Sequence, residues 1–255
     1  MNEQLIYSLI SGLFVGGASG YLGSLMIGKR MALVGDALGH AALPGMGLAL
    51  LLGLDVSLGA FVFLMAGILL VWAFNFKKSL PMEAAVGIVF VASLALGFLI
   101  VPQAELLESL IGDISRISLE MAVFSAFFSI FLFWAVRKVY PALILANISE
   151  DLASMEGLNM RKYNLAYLFC IALIVSLGIK MVGSLLIGAL VIVPAAAARN
   201  LSRNLNQYVL GSVLLGSLSS LAGIFFSGLF QVSAGPLVVL ASVFLFLVSL
   251  LFKSS

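Results

Sequence analysis

An all-α membrane protein, a polytopic bundle of eight or nine transmembrane helices, is the fold class this sequence predicts, on three observations. Of its 255 residues 63% are hydrophobic and 9% charged, whereas a soluble domain carries roughly a quarter charged residues. The mean hydropathy over the whole chain is +1.22, and so few charges could not cover that much apolar surface in water. Uncharged or nearly uncharged runs also recur at close to the length that crosses about 30 Å of hydrocarbon at about 1.5 Å per residue.

Residues 4–28 make the first such run, and the leading Met1 to Gln4 lacks the basic segment of a cleavable signal, so it is read as a retained helix. Residues 34–54 make a second, interrupted only by Asp36 and His40; residues 57–76 and 84–102 make the third and fourth. After an acidic connector carrying Glu105, Glu108, Asp113 and Glu120, residues 121–136 give a fifth, extendable into its flanks. The longest polar stretch, about residues 137–164, follows. Residues 165–198 are apolar except for Lys180, which is expected to divide them into two short helices or to mark a re-entrant turn. Residues 204–252 are uncharged, and the Gly and Pro of residues 231–236 divide them into two helices and a turn. The whole reads as one transmembrane domain, residues 1–255.

Orientation follows the cations, because short loops rich in Lys and Arg stay cytoplasmic. Lys29/Arg30, Lys77/Lys78, Arg137/Lys138 with Arg161/Lys162, Arg199/Arg203 and Lys253 fall at alternate loops of a nine-span arrangement with its N-terminus outside; only Lys180 opposes the bias. The sequons at Asn147 and Asn200 then face the cytoplasm and read as chance matches. A single cysteine, Cys170, excludes an internal disulfide and any Cys-based metal or redox motif. Gly12, Gly16 and Gly20 recur every fourth position, and Gly35 and Gly39 repeat the spacing, which permits close helix approach.

Ionisable groups within lipid are costly and usually kept for a purpose. Asp36 and His40 stand at i and i+4 in the second run, on one helix face about 6 Å apart along the axis. An imidazole with a carboxylate suits a borderline divalent ion such as zinc or manganese. Glu83, just after Pro81 at the head of the fourth run, offers a third ligand or a counter-charge. Structural roles compete: both carboxylates also suit the positive end of a helix, and His40 could donate to a carbonyl. Residues 146–157 suggest a short helix outside the membrane, with Ser149 as N-cap, Glu150 and Asp151 in its first turn, and Gly157 as its end. Leu152 and Met155 are then available to a cytoplasmic partner's groove or to the lipid surface.

These residues resemble the permease subunits of zinc and manganese ABC importers. The resemblance runs in order through residues 30–45 (RMALVGDALGHAALPG), 83–90 (EAAVGIVF), 149–157 (SEDLASMEG), 182–199 (VGSLLIGALVIVPAAAAR) and 234–236 (AGP). It implies a type II ABC-importer-like permease in a prokaryotic cell membrane. Its expected partners are a second copy of itself, two cytoplasmic ATPase subunits, an extracytoplasmic metal-binding protein and membrane lipid, with no nucleic acid. It implies that Asp36 and His40, with Glu83, are pathway metal ligands. It also implies that Ser149, Glu150, Asp151, Leu152, Met155, Glu156 and Gly157 form the ATPase-coupling helix. No cofactor would be bound permanently: zinc or manganese is cargo, and ATP binds the partner. The chain itself has no G-x-x-x-x-G-K-S/T phosphate loop, so it is not expected to be an enzyme.

Two rival classes share the composition. A proton-coupled secondary divalent-cation transporter would use Asp36, Glu83 and His40 without any coupling helix. An intramembrane serine protease would need Ser19 and His40 within hydrogen-bond reach.

Overall fold

A computed structural model of the chain describes residues 3–29, 31–76, 80–100, 117–184 and 186–252. Arg30, Lys77, Lys78, Glu105, Glu108, Asp113 and Lys253 lie outside the described residues, as do the side chains of Glu150 and Lys180. The described elements are all helices: α1 (Glu3–Gly28), α2 (Ala32–Ala41), α3 (Leu43–Leu52), α4 (Val56–Phe76), α5 (Met82–Ile100), α6 (Leu119–Ile148), α7 (Glu150–Met155), α8 (Met160–Val182), α9 (Ile187–Leu201), α10 (Leu205–Phe230) and α11 (Ala234–Leu251). Seven segments are long and apolar enough to cross a membrane, with Leu58–Phe74 and Ile187–Leu201 as shorter apolar helices.

The second run is not one straight helix. Ala42 is a turn between α2 and α3, and Pro44 sits in the first turn of α3. Having no N–H, Pro44 cannot donate to the His40 carbonyl four residues back, so the helical hydrogen-bond ladder is interrupted just beyond His40. The break expected at Lys180 comes later. Helix α8 runs through that position to Val182 and stops at Gly183, whose φ of 83° suits glycine better than any other residue. Helix α6, 30 residues long, carries the fifth span past Arg137 to Ile148, so the long polar stretch opens as a continuation of that helix.

Hydrogen bonds tie the helix ends into two sets. Lys29 Nζ donates to Asn164 Oδ1 at 2.9 Å, Asn147 Nδ2 to the Gly28 carbonyl, and Trp72 Nε1 to the Arg161 carbonyl at 3.4 Å. Asn200 Nδ2 donates to Ser249 Oγ at 3.0 Å and the Tyr208 hydroxyl to the Ser24 carbonyl at 3.3 Å. The closing ends of α1, α4, α6, α9 and α11 therefore share one side with the opening ends of α8 and α10. Lys29, Arg137, Lys138, Arg161, Lys162, Arg199 and Arg203 all lie in the halves nearest that side. At the other side a cavity of about 440 Å³ is bordered by Asp55, Glu120 and Leu177.

Helix α1 is the axis of the bundle, with Val15, Ala18, Leu22, Leu25 and Met26 fully buried. Its glycines allow this. A Cβ on Gly16 or Gly20 would overlap α10, and one on Gly23 would overlap the Val191 carbonyl of α9. A second pinch, between Gly45 of α3 and Gly59 of α4, has no four-residue repeat to announce it. The outward faces are apolar: Leu99 is 83%, Phe127 65% and Leu240 62% exposed, the pattern of a protein whose solvent is lipid.

Candidate functional site

Helix α2 follows the turn at Lys29 and presents three different faces. Leu38 is buried. Gly35 and Gly39 press on neighbouring elements: a Cβ on Gly39 would stand 2.7 Å from both the Ser184 carbonyl oxygen and Ile187 Cγ2, and one on Gly35 3.2 Å from Met26 Cε. Asp36, Ala37 and His40 are half-buried and share the remaining face. At 100° per residue Asp36 and His40 point the same way, one turn apart.

Asp36 packs on the start of α9, where a Cβ on Gly188 would stand 2.7 Å from Asp36 Cβ. That first turn has no side-chain cap, and its unpaired amides carry partial positive charge that favours a carboxylate alongside. His40 lies beside the Phe90 ring of α5, centroids 5.6 Å apart and planes tilted by 46°. Its Nδ1 is buried without a hydrogen-bond partner among the described residues. A buried polar atom left unpaired costs roughly 1–3 kcal/mol.

Glu83 occupies the first turn of α5 and is exposed. Among the described residues no three His, Cys, Asp or Glu side chains come together to hold an ion. One chain thus places Asp36 and His40 on one face and does not add Glu83 to make a triad. Ser184 is the residue that sequence reasoning missed: it packs against Gly39, and its buried Oγ has no partner among the described residues. The glycines of residues 182–199 were its only signal. Ser19 Oγ is also buried without a partner among the described residues, His40 included, so it is not hydrogen-bonded to His40 as an activated nucleophile would be.

At the cation-bearing side, α7 is a single capped turn and a half. Ser149 Oγ accepts from the Leu152 amide at 3.3 Å. Gly157, at φ 72°, closes the helix while the Leu158 amide reaches the Ala153 carbonyl at 3.1 Å. Ala153 is fully buried and anchors the segment, leaving Leu152 at 50% and Met155 at 83% exposure, with Ile148 at 75% beside them. Asp151 and Glu156 are exposed around this apolar tip.

The profile of the ABC 3 transport family matches residues 1–253. The manganese transport system membrane protein MntC of Listeria innocua is 29% identical over 249 residues, covering 96% of this chain and 89% of that protein. The high-affinity zinc uptake system membrane protein ZnuB of Haemophilus influenzae is 29% identical over 256 residues, covering 98% of each. Among solved structures, a chain of PsaBC from Streptococcus pneumoniae in complex with Fab superposes with a TM-score of 0.84 at 28% identity, over 97% of this chain and 91% of that one.

Proposed function

Because this chain belongs to the ABC 3 transport family, we propose that it carries divalent transition metal ions into the cell past Asp36 and His40, with energy from a separate ATPase. It is the multi-pass permease subunit of a manganese or zinc ABC importer in the plasma membrane of a prokaryote, and it is not itself an enzyme. Its cation-rich side faces the cytoplasm, by the positive-inside rule. The observation that supports the pathway reading is the half-buried carboxylate and imidazole on one face of α2, with an imidazole nitrogen that has no partner among the described residues.

Two donors do not fill a coordination shell, and a second copy of the chain would supply two more, matching the four-coordinate preference of zinc. The homodimer is therefore part of the proposal. So few ligands also suit transit, since a pathway site that binds too well cannot release its ion. Glu83, exposed at the head of α5, serves as an attracting charge at the cytoplasmic mouth. Metal arrives from an extracytoplasmic binding protein. ATP closes two cytoplasmic ATPase subunits, and α7, docked to them by Leu152 and Met155, passes that movement to α6 and α8.

Co-reconstitution in liposomes with the ATPase and the binding protein tests this reading. ATP-dependent accumulation of manganese or zinc is expected; accumulation by the permease alone, driven by a proton gradient, would overturn it in favour of a secondary transporter.

Truncating the tip of α7 gives a second expectation. A central apolar anchor is typically worth about 2 kcal/mol or more on truncation, so Leu152→Ala with Met155→Ala should weaken ATPase association about thirtyfold or more. Folding should be spared, because both side chains point away from the bundle. Unchanged association in a pull-down titration would exclude α7 as the docking element.

A further inference from the structure

The last 99 residues contain six cations, Arg161, Lys162, Lys180, Arg199, Arg203 and Lys253, and no Asp or Glu; the last carboxylate side chain in the sequence is that of Glu156. The result is a local excess of positive charge. Part of it stands over a cavity of about 590 Å³ between α9 and α10, whose lining includes Arg203 and Gln207 at one end and Leu214, Leu215 and Leu218 at the other.

On α10 the lining positions 207, 211, 214, 215 and 218 are spaced as one helical stripe. Gly211 forms its floor, where a Cβ would stand 3.3 Å from Ala198 Cβ. From Gln207 to Leu218 the stripe rises about 16 Å, one leaflet of a hydrocarbon core about 30 Å thick. Leu214 and Leu218 are each 53% exposed, and Arg203 is exposed. Gln207 is turned back on the chain, its Oε1 accepting from the Arg203 amide at 3.0 Å, which fixes the loop carrying the guanidinium. Arg199, in the last turn of α9 between the lining residues Ala198 and Leu201, is exposed at the same end of the groove without itself lining it.

We propose that this groove holds one anionic phospholipid of the cytoplasmic leaflet, its phosphate at Arg203 and Arg199 and an acyl chain along Leu214, Leu215 and Leu218. Charge decides the occupant. A zwitterionic lipid would bring a cationic group toward arginine in a groove whose lining contains no carboxylate. Basic pockets between helices on the cytoplasmic side recognise acidic headgroups. A lone phosphate would leave the apolar stripe unfilled.

Native mass spectrometry of the purified full-length permease, titrated with dioleoyl phosphatidylglycerol or dioleoyl phosphatidylcholine, tests the assignment without reference to transport. The wild type is expected to retain phosphatidylglycerol preferentially. Arg203→Gln should weaken that retention about fivefold and Arg199→Gln similarly, following the energy of one arginine near an anionic surface. Arg137→Gln, outside the groove, should leave it unchanged. Equal retention of both lipids, or equal loss in all three variants, would overturn the proposal. So would displacement by glycerol phosphate, which would make the groove a free-anion site. Release of the lipid on adding the ATPase would assign the face to that partner, and a lipid-free dimer would assign it to a second copy.

Discussion

His40→Ala is expected to reduce ATP-driven uptake of manganese or zinc in proteoliposomes to the level seen without permease, while ATPase co-purification stays normal. Loss of even an indirect support for a metal ligand typically costs 10–100-fold, and here a donor itself goes from a face that holds two. The ring packs beside Phe90, so part of any defect in the Ala variant could come from lost packing. Asp36→Asn separates the effects: it keeps the volume that lies against Gly188 and removes only the charge. It should lower uptake at least about tenfold, while stability falls by no more than about 0.3–1 kcal/mol, the gain of a carboxylate beside helix amides. Normal uptake in both variants would remove α2 from the pathway, and an Asp36→Asn protein that transports normally would make that carboxylate a partner of the α9 amides alone.

Much of this arrangement could be read from the chain because lipid imposes few solutions. Uncharged length gave the spans, and alternating cations gave the sides on which their ends gather. Ser149 and Gly157 were legible because a hydroxyl N-cap and a left-handed glycine mark helix ends locally. Three things were not legible, each for a physical reason. The break at Ala42 depends on a missing Pro44 donor in a stretch that composition alone reads as one span. The end of α8 was expected at the charge of Lys180, but backbone geometry at Gly183 decided it. Ser184 meets Gly39 only because α9 folds back against α2, a contact between residues 145 positions apart that no local pattern encodes. Glu83 shows the converse: position at a helix head was legible, but its separation from Asp36 and His40 was not.

The glycine repeat of α1 leads to the other large expectation. Gly20→Ala should destabilise the folded permease by about 1–3 kcal/mol, the range for forcing one extra methyl into a packed interior. The obstacle is backbone, not a side chain that can turn aside: a Cβ at this position would overlap the Ser212 carbonyl of α10. Lipid tails supply no hydrophobic drive to hold separated helices together, so close backbone approach carries most of the association. The damage should also reach the site. Helix α1 abuts α9 through Gly23 and the Val191 carbonyl, and α9 in turn holds Asp36 against Gly188, so displacing α1 moves the carboxylate. Gly28→Ala on the same helix is the control. Its Cβ would meet only Ile144 Cδ1 at 3.7 Å, ordinary contact, and alanine is the better helix former by up to about 1 kcal/mol. Thermal unfolding in detergent should therefore fall for Gly20→Ala and hold or rise for Gly28→Ala. Equal midpoints for the two would mean that α1 and α10 stand further apart than backbone contact, and that the four-residue spacing has no part in holding the ligand helix in place.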